Sequence, residues 1–183
     1  GVVTVVSGGV LAPGLSVGRI ALSNPPSLQG AVIMEISRNG AVLTNDQLQV
    51  AGTLTYGGSL VVSNLGPTAL TIGDRFPLFN AATYAGSFAS FTLPPIAPGL
   101  AWMNKLLVDG SIEVIPVPAF TSITPSGTNL PSTRTGGTSN ATYVVLSATN
   151  LLLPLANWES IVTNQFDSNG GFSFTIAMIP GEA

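Results

Sequence analysis

Residues 43–113 constrain the chain most, because their apolar side chains alternate in runs too short for helices. Leu48 and Val50 point one way, Leu54 and Tyr56 follow after Gly52, and Leu60 and Val62 follow after Gly57-Gly58. A period of two marks strands with one buried face, and the glycines between them mark turns. Strands this closely spaced must lie beside similar neighbours, since every backbone N–H and C=O needs a partner. A meander or a stack of β-helical coils provides this. In a stack, each coil buries its apolar residues against the next and is stable only in company.

Composition supports many short strands joined by tight turns. The 183 residues include 21 Gly and 14 Pro, are 45% hydrophobic and only 7% charged, and contain no His and no Cys. So apolar a chain buries a core rather than staying disordered, and its length allows one or two domains. Few charges leave a surface of Thr, Ser, Asn, Gln and Gly, or one covered by other protein. A net charge of -3 leaves nothing to neutralise a row of phosphates, so nucleic acid is not an expected partner. No apolar run reaches the length of a spanning helix. Without Cys there are no disulfides, thiolate metal sites or cysteine nucleophiles, and without His no Ser-His-Asp triad or imidazole zinc site. The start at Gly1 fits a processed protein or a piece of a longer one.

From the start of the chain, residues 2–6 read as a strand closed by Ser7-Gly8-Gly9, and Pro13-Gly14 turns the chain again. Residues 31–37 form a strand with Val32, Met34 and Ile36 on one face and Ile33 and Glu35 on the other, with Glu35 expected in water. Asn39-Gly40 signals a tight turn. Strands are expected at 70–72, 76–79, 86–93, 100–102, 105–108 and 111–115, with Asp109-Gly110 as a hairpin turn. Phe76, Leu78, Phe79, Tyr84, Phe88 and Phe91 are the side chains expected to seal the end of a narrow apolar core.

The segments at residues 7–18, 45–60 and 73–79, continued by Gly86-Ser-Phe88 and residues 100–114, resemble an autotransporter-associated β-strand repeat region. The resemblance covers roughly residues 5–116 and implies a right-handed parallel β-helix, secreted and displayed at a bacterial cell surface or released, with the repeats as scaffold. It also implies that Asp46, which precedes a hydrophobic strand, is a turn residue bonding nearby backbone N–H groups. The family offers no catalytic set to transfer. A rival reading of Asp46 is a Ca²⁺ ligand partnered by Asp74 or Asp109, although the short ligand spacing of calcium turns is absent. No other cofactor is expected.

After Val117-Pro118 the pattern changes, dividing the chain into residues 1–117 and 118–183. Strands are expected at 120–123, 141–148, 158–163 and 171–176, with a long loop at 126–140 in which Leu130 and Thr133 could hide another. Tyr143 and Val145 alternate against Val144 and Leu146, as a central strand facing two ways would. These strands suggest a small β-sandwich with Trp158, Phe166, Phe172 and Phe174 inside. With Gly136-Gly137, residues 141–151, 154–158 and 164–170 and Phe172-Ser-Phe174, residues 120–179 resemble a short C-terminal module that follows such repeats in large secreted bacterial proteins of verrucomicrobial and planctomycete type. That module continues with one more strand, so a chain ending at Pro180-Gly-Glu-Ala183 would leave an open sheet edge.

The expected architecture is thus all-β, a short right-handed parallel β-helix followed by a small β-sandwich. The function it implies is non-enzymatic and extracellular: part of a surface or adhesin-like protein, or a subunit that self-associates through exposed β edges into filaments. The alternative is a carbohydrate-binding module that takes polysaccharide through Trp102, Trp158, Asp167 and Asn169, with Tyr84 and Tyr143 as further aromatic candidates. Packing in the core is the simpler role for these aromatic rings. A β-helix lyase or hydrolase would need a pair among Glu35, Asp46, Asp74 and Glu113. Asn140-Ala-Thr142 is a formal glycosylation acceptor.

Overall fold

In the strand Ala31–Asn39, Val32, Met34 and Ile36 are fully buried while the residues between them are half-buried, so the alternation read from the sequence sets which face turns inward. The same holds for Leu48, Val50, Leu54 and Tyr56 and for Leu60 and Val62, all of which lie in the core. The computed structural model describes residues 1–124, 126 and 129–177. The chain divides into two compact units, Gly1–Ile115 and Pro116–Ala183. The stop at Pro180-Gly-Glu-Ala183 lies outside the described residues.

In the first unit, one pass of the chain lays down β1 (Thr4–Val5), β2 (Val10–Leu11) and β3 (Arg19–Leu22). A second pass gives β4 (Ser27–Leu28), β5 (Ala31–Asn39), the short return strand β6 (Val42–Asn45) and β7 (Gln47–Tyr56). A third gives β8 (Ser59–Asn64), β9 (Arg75–Pro77) and β10 (Phe79–Gly86), and β11 (Ser90–Thr92) opens a fourth. Each pass adds a parallel strand beside its predecessor. β1 pairs with β4, β2-β5-β8-β11 form one row, and β3-β7-β10 form another. The registers align apolar residues in columns: Val5 with Leu28, Leu11 with Val32 and Leu60, and Ile20 with Leu48 and Phe79.

Three successive corners where the chain turns into the next strand carry glycine. Ala31 N–H donates to Gly9 O (2.9 Å), Ser59 N–H to Gly30 O (3.0 Å) and Ala89 N–H to Gly58 O (2.7 Å), so successive corners sit directly on one another. A Cβ on Gly58 would lie 1.9 Å from Gly30 O, and the residue has φ +61, so only glycine fits.

The chain then adds β12 (Leu100–Lys105), one helical turn α1 (Leu106–Asp109) and β13 (Ser111–Pro116). β12, β13 and β9 make a three-stranded sheet in which β13 runs antiparallel to β9. Residues 105–108 are therefore not a separate strand, and Asp109-Gly110 is not a hairpin turn. Gly110 (φ 73) instead caps the helical turn, donating its N–H to Leu106 O (3.2 Å). The segment at 70–72 is not a strand either, although Leu70 is buried.

The aromatic residues expected to seal this core largely do so. Tyr56 packs on Phe88 at 4.9 Å and on Phe79 at 5.2 Å between ring centroids, and Tyr84 stacks on Tyr56 at 6.0 Å. Edge and stacked contacts of this kind add about 0.5–1.5 kcal/mol each beyond the area they bury. Phe91 is the exception: it is 43% exposed and meets the Phe88 ring edge-on at 5.7 Å between centroids.

The second unit holds β14 (Ala119–Ile123), β15 (Asn129–Thr135), β16 (Thr142–Ser147), β17 (Glu159–Gln165) and β18 (Phe172–Ala177). β14-β15-β18 form an antiparallel sheet with β15 in the middle, and β16 pairs antiparallel with β17. The long loop thus hides a strand, and that strand is central. β16, by contrast, has only β17 as a partner among the described residues, and Val144 is half exposed, so it is not a two-sided central strand. Tyr143 of β16 meets Phe172 of β18 at 4.2 Å and Phe166 at 5.0 Å, so aromatic rings join the two sheets. The whole is an all-β fold with several parallel sheets in its first unit.

Candidate functional site

The carboxylates proposed for calcium or catalysis are mostly occupied by groups of the chain itself. Asp46 is almost fully buried and accepts from Gly18 N–H (2.6 Å) and Glu35 N–H (2.8 Å). Its donors lie far away in sequence, one in each of the first two passes, so Asp46 fastens one pass to the next rather than closing a local turn. Asp74 accepts from Thr71 N–H (2.8 Å) and faces Arg38 Nε at 3.6 Å. Arg38 also holds Ala69 O (2.6 Å) and Gly40 O (3.1 Å), tying the β5–β6 hairpin to the loop before Asp74.

Asp109 pairs with Arg75 (2.9 Å) and accepts from the backbone and hydroxyl of Ser111. Partial burial alone would raise its carboxyl pKa, but the Ser111 hydroxyl and the Arg75 guanidinium outweigh burial and hold it below the ordinary value. Glu113 is paired with Lys105. Each of these acids has its own partners, and among the described residues no three Asp, Glu, His or Cys side chains gather in a metal-binding group.

Glu35 departs from expectation. It is half-buried rather than exposed, and its Oε2 is shielded from solvent with no hydrogen-bond partner among the described residues. Its backbone N–H and C=O are both held by Asp46, which accepts from Glu35 N–H through its carboxylate and donates N–H to Glu35 O (2.7 Å). That bond draws the chain between β6 and β7 against the edge of β5 at this position. Tyr56 is the other strongly perturbed group: burial, then Tyr84 and Asp109, push its hydroxyl far above the usual phenol range. It donates to Leu106 O (2.9 Å) and so stays a neutral plug.

The aromatic candidates for a sugar divide into two groups. Trp102 is half-buried, donates its indole N–H to Pro94 O (2.9 Å) and packs near Phe76 at 6.3 Å, which makes it a packing group. Tyr84 accepts from Ala81 N–H and donates to Phe79 O, both at 3.2 Å. Asp167 accepts from Asn169 N–H (2.7 Å) and Gly171 N–H (2.9 Å), an Asx-type turn between β17 and β18. Asn140 is exposed.

Trp158 and Tyr143, in contrast, line a cleft of about 480 Å³ in the second unit, together with Val145, Phe166, Phe172 and Phe174. Trp158 donates its indole N–H to Leu153 O (3.0 Å) and so also braces the loop that carries Leu151, Leu152, Leu153 and Leu155. These leucines are exposed, Leu152 by 92%. Neither the cleft nor the loop was foreseen; the signal in the sequence is the run Leu151-Leu-Leu-Pro-Leu155, apolar with no burial period and bounded by Asn150 and Asn157. Compared with known proteins, the chain matches no family model, no curated protein and no solved structure.

Proposed function

We propose that Gly1–Ile115 is a short right-handed parallel β-helix and that the chain serves as a non-enzymatic, extracellular structural protein of a bacterium, with Pro116–Ala183 as a small β-sandwich module. The observation that carries this reading is the column of Ile20, Leu48 and Phe79, aligned from three successive passes by parallel pairing. Parallel neighbours reached by returning to the same row are what a coil stack requires, and such stacks bury a continuous core. The likeness to autotransporter-associated repeats supports the same architecture and the extracellular setting.

The upstream sides of β1, β2 and β3 carry no partner strand among the described residues, and Val2, Val6, Val10 and Leu15 lie exposed around them. Such an edge accepts another layer of strands, whether from preceding sequence of an adhesin-like protein or from a neighbouring molecule in a filament. At the other end α1 lies against β10, whereas β11 is exposed and has no partner beyond β8 among the described residues.

The reading is tested by incubating the purified chain with a panel of acidic and neutral polysaccharides. Release of reducing ends or unsaturated products is measured, and retention on the insoluble polymers is measured separately. Neither is expected. Turnover abolished by Glu35→Gln or Glu113→Gln would replace the scaffold with a lyase or hydrolase, and retention lost in Trp158→Ala would replace it with a carbohydrate-binding module.

A further inference from the structure

We infer that the second unit pairs with a second copy of itself, each copy seating its leucine loop in the aromatic cleft of the other. The loop between β16 and β17 exposes Leu151 by 75%, Leu152 by 92% and Leu155 by 66%. Scattered surface leucines need no explanation, but several on one short loop form a patch of the kind that marks an interaction site. The loop is held in one shape. Asn150 Oδ1 accepts from Leu152 N–H (3.0 Å), Asn150 O from Leu153 N–H (3.2 Å), and Pro154 O from Asn157 N–H (2.8 Å). Trp158 closes it with two bonds, its backbone N–H to Leu155 O (3.1 Å) and its indole N–H to Leu153 O (3.0 Å). A braced loop loses little entropy on docking.

The cleft supplies the matching surface. An apolar cavity of roughly 150 Å³ holds a benzene-sized group. The cleft here has about 480 Å³, room for roughly three such groups, and the loop offers Leu151, Leu152 and Leu155. Its walls include Tyr143, Val145, Trp158, Phe166, Phe172 and Phe174. No Asp, Glu, Lys or Arg lines the cleft and none occurs between Asn140 and Trp158, so neither surface brings a charge that docking would strip of water.

The occupant follows from how loop and cleft are joined. A neutral bilayer would bury the leucines and leave the cleft unfilled, whereas a second copy fills both. Trp158 belongs to both features, bracing the loop and lining the cleft. A knob beside its own hole is a self-complementary patch, which closes on itself about a two-fold axis and does not propagate. This pairing is independent of the coil-stack reading of the first unit and uses none of its edges.

The full chain is measured by light scattering and sedimentation over a wide concentration range, beside Leu152→Asp and Leu155→Asp, which change exposed residues and leave circular dichroism unaltered. A dimer is expected, with dissociation at least about tenfold weaker in the parent chain than in either variant. As a second measurement, a Leu152→Cys chain is mixed with a Thr142→Cys chain, Thr142 being an exposed residue at the cleft wall. The native chain has no Cys, and a disulfide joining the two different chains is expected on mild oxidation. The inference is overturned by a monomer at every concentration, by a dimer indifferent to Leu152→Asp, by open-ended assembly through the loop, or by leucine-dependent binding of a monomer to neutral phosphatidylcholine vesicles.

Discussion

Asp46 shows how a single side chain can fasten two layers of backbone. Its two acceptor bonds satisfy N–H groups of Gly18 and Glu35 that no ladder partner serves at those points. Hydrogen bonds to a charged acceptor contribute about 1.5–3 kcal/mol each, and a buried donor left unpaired is costly. Asp46→Ala is therefore expected to destabilise the first unit by about 3 kcal/mol, and Asp46→Asn by less, because an amide oxygen still accepts; urea midpoints of the three proteins check this. Gly58→Ala is expected to cost more than about 2 kcal/mol, since it adds positive-φ strain to a contact with Gly30 O.

Asp109 gives a pH dependence of definite sign. Its folded pKa is depressed, so its contribution is complete above the ordinary carboxylate value and is lost as pH falls through the lower folded value. The stability difference between the parent and Asp109→Asn, followed by urea unfolding from neutral to acid pH, should be largest at neutral pH and vanish in strong acid. A difference that grew on acidification would contradict the Ser111 and Arg75 contacts.

At the scale of elements, strands with regular alternation were readable and those without it were not. In β5, β7 and β8 the buried face follows from Val32, Met34, Ile36, Leu48, Val50, Leu60 and Val62 alone. In β15 the sequence Asn129-Leu-Pro-Ser-Thr-Arg-Thr135 has no period of two and contains Pro131, which normally speaks against a central strand. Its place comes from backbone pairing to β14 on one side and β18 on the other, a tertiary fact. Asp109-Gly110 misled for a related reason. Glycine at positive φ serves a hairpin and a helix cap equally, and only the bond from Gly110 to Leu106 O decides between them. Of the carboxylates read as turn residues, Asp74 closes a turn with Thr71, but the long-range partners of Asp46, Asp74 and Asp109 were not legible, because Gly18, Arg38 and Arg75 are distant in sequence or ordinary in type. Leu48 belongs to the fully readable class: Leu48→Ala should cost about 2–5 kcal/mol by leaving a void between Ile20 and Phe79.

For the whole molecule, the two compact units contain one tryptophan each, Trp102 and Trp158, which makes them separately observable. Each has its own aromatic cluster, so each is expected to unfold cooperatively by itself. Urea titration of Trp158→Phe reports the first unit by fluorescence and Trp102→Phe the second. Two distinct midpoints are expected, and coincident ones that shift together on Leu48→Ala would contradict the division.

The central claim is that successive passes of the first unit lie parallel and in the stated register. The chain has no Cys, so pairs can be introduced without competition. Thr53 and Thr83 face each other on β7 and β10 with their hydroxyl oxygens 2.7 Å apart, and Ala21 lies opposite Gln49 on β3 and β7. Directly opposed residues meet the distance a disulfide requires. In Thr53→Cys with Thr83→Cys, and in Ala21→Cys with Gln49→Cys, rapid oxidation within a single chain is expected, with native circular dichroism and a raised urea midpoint. Failure of both pairs to close within the chain, with Thr53→Cys closing instead onto a cysteine at Asn80, would show that β7 and β10 run antiparallel and would contradict the coil stack.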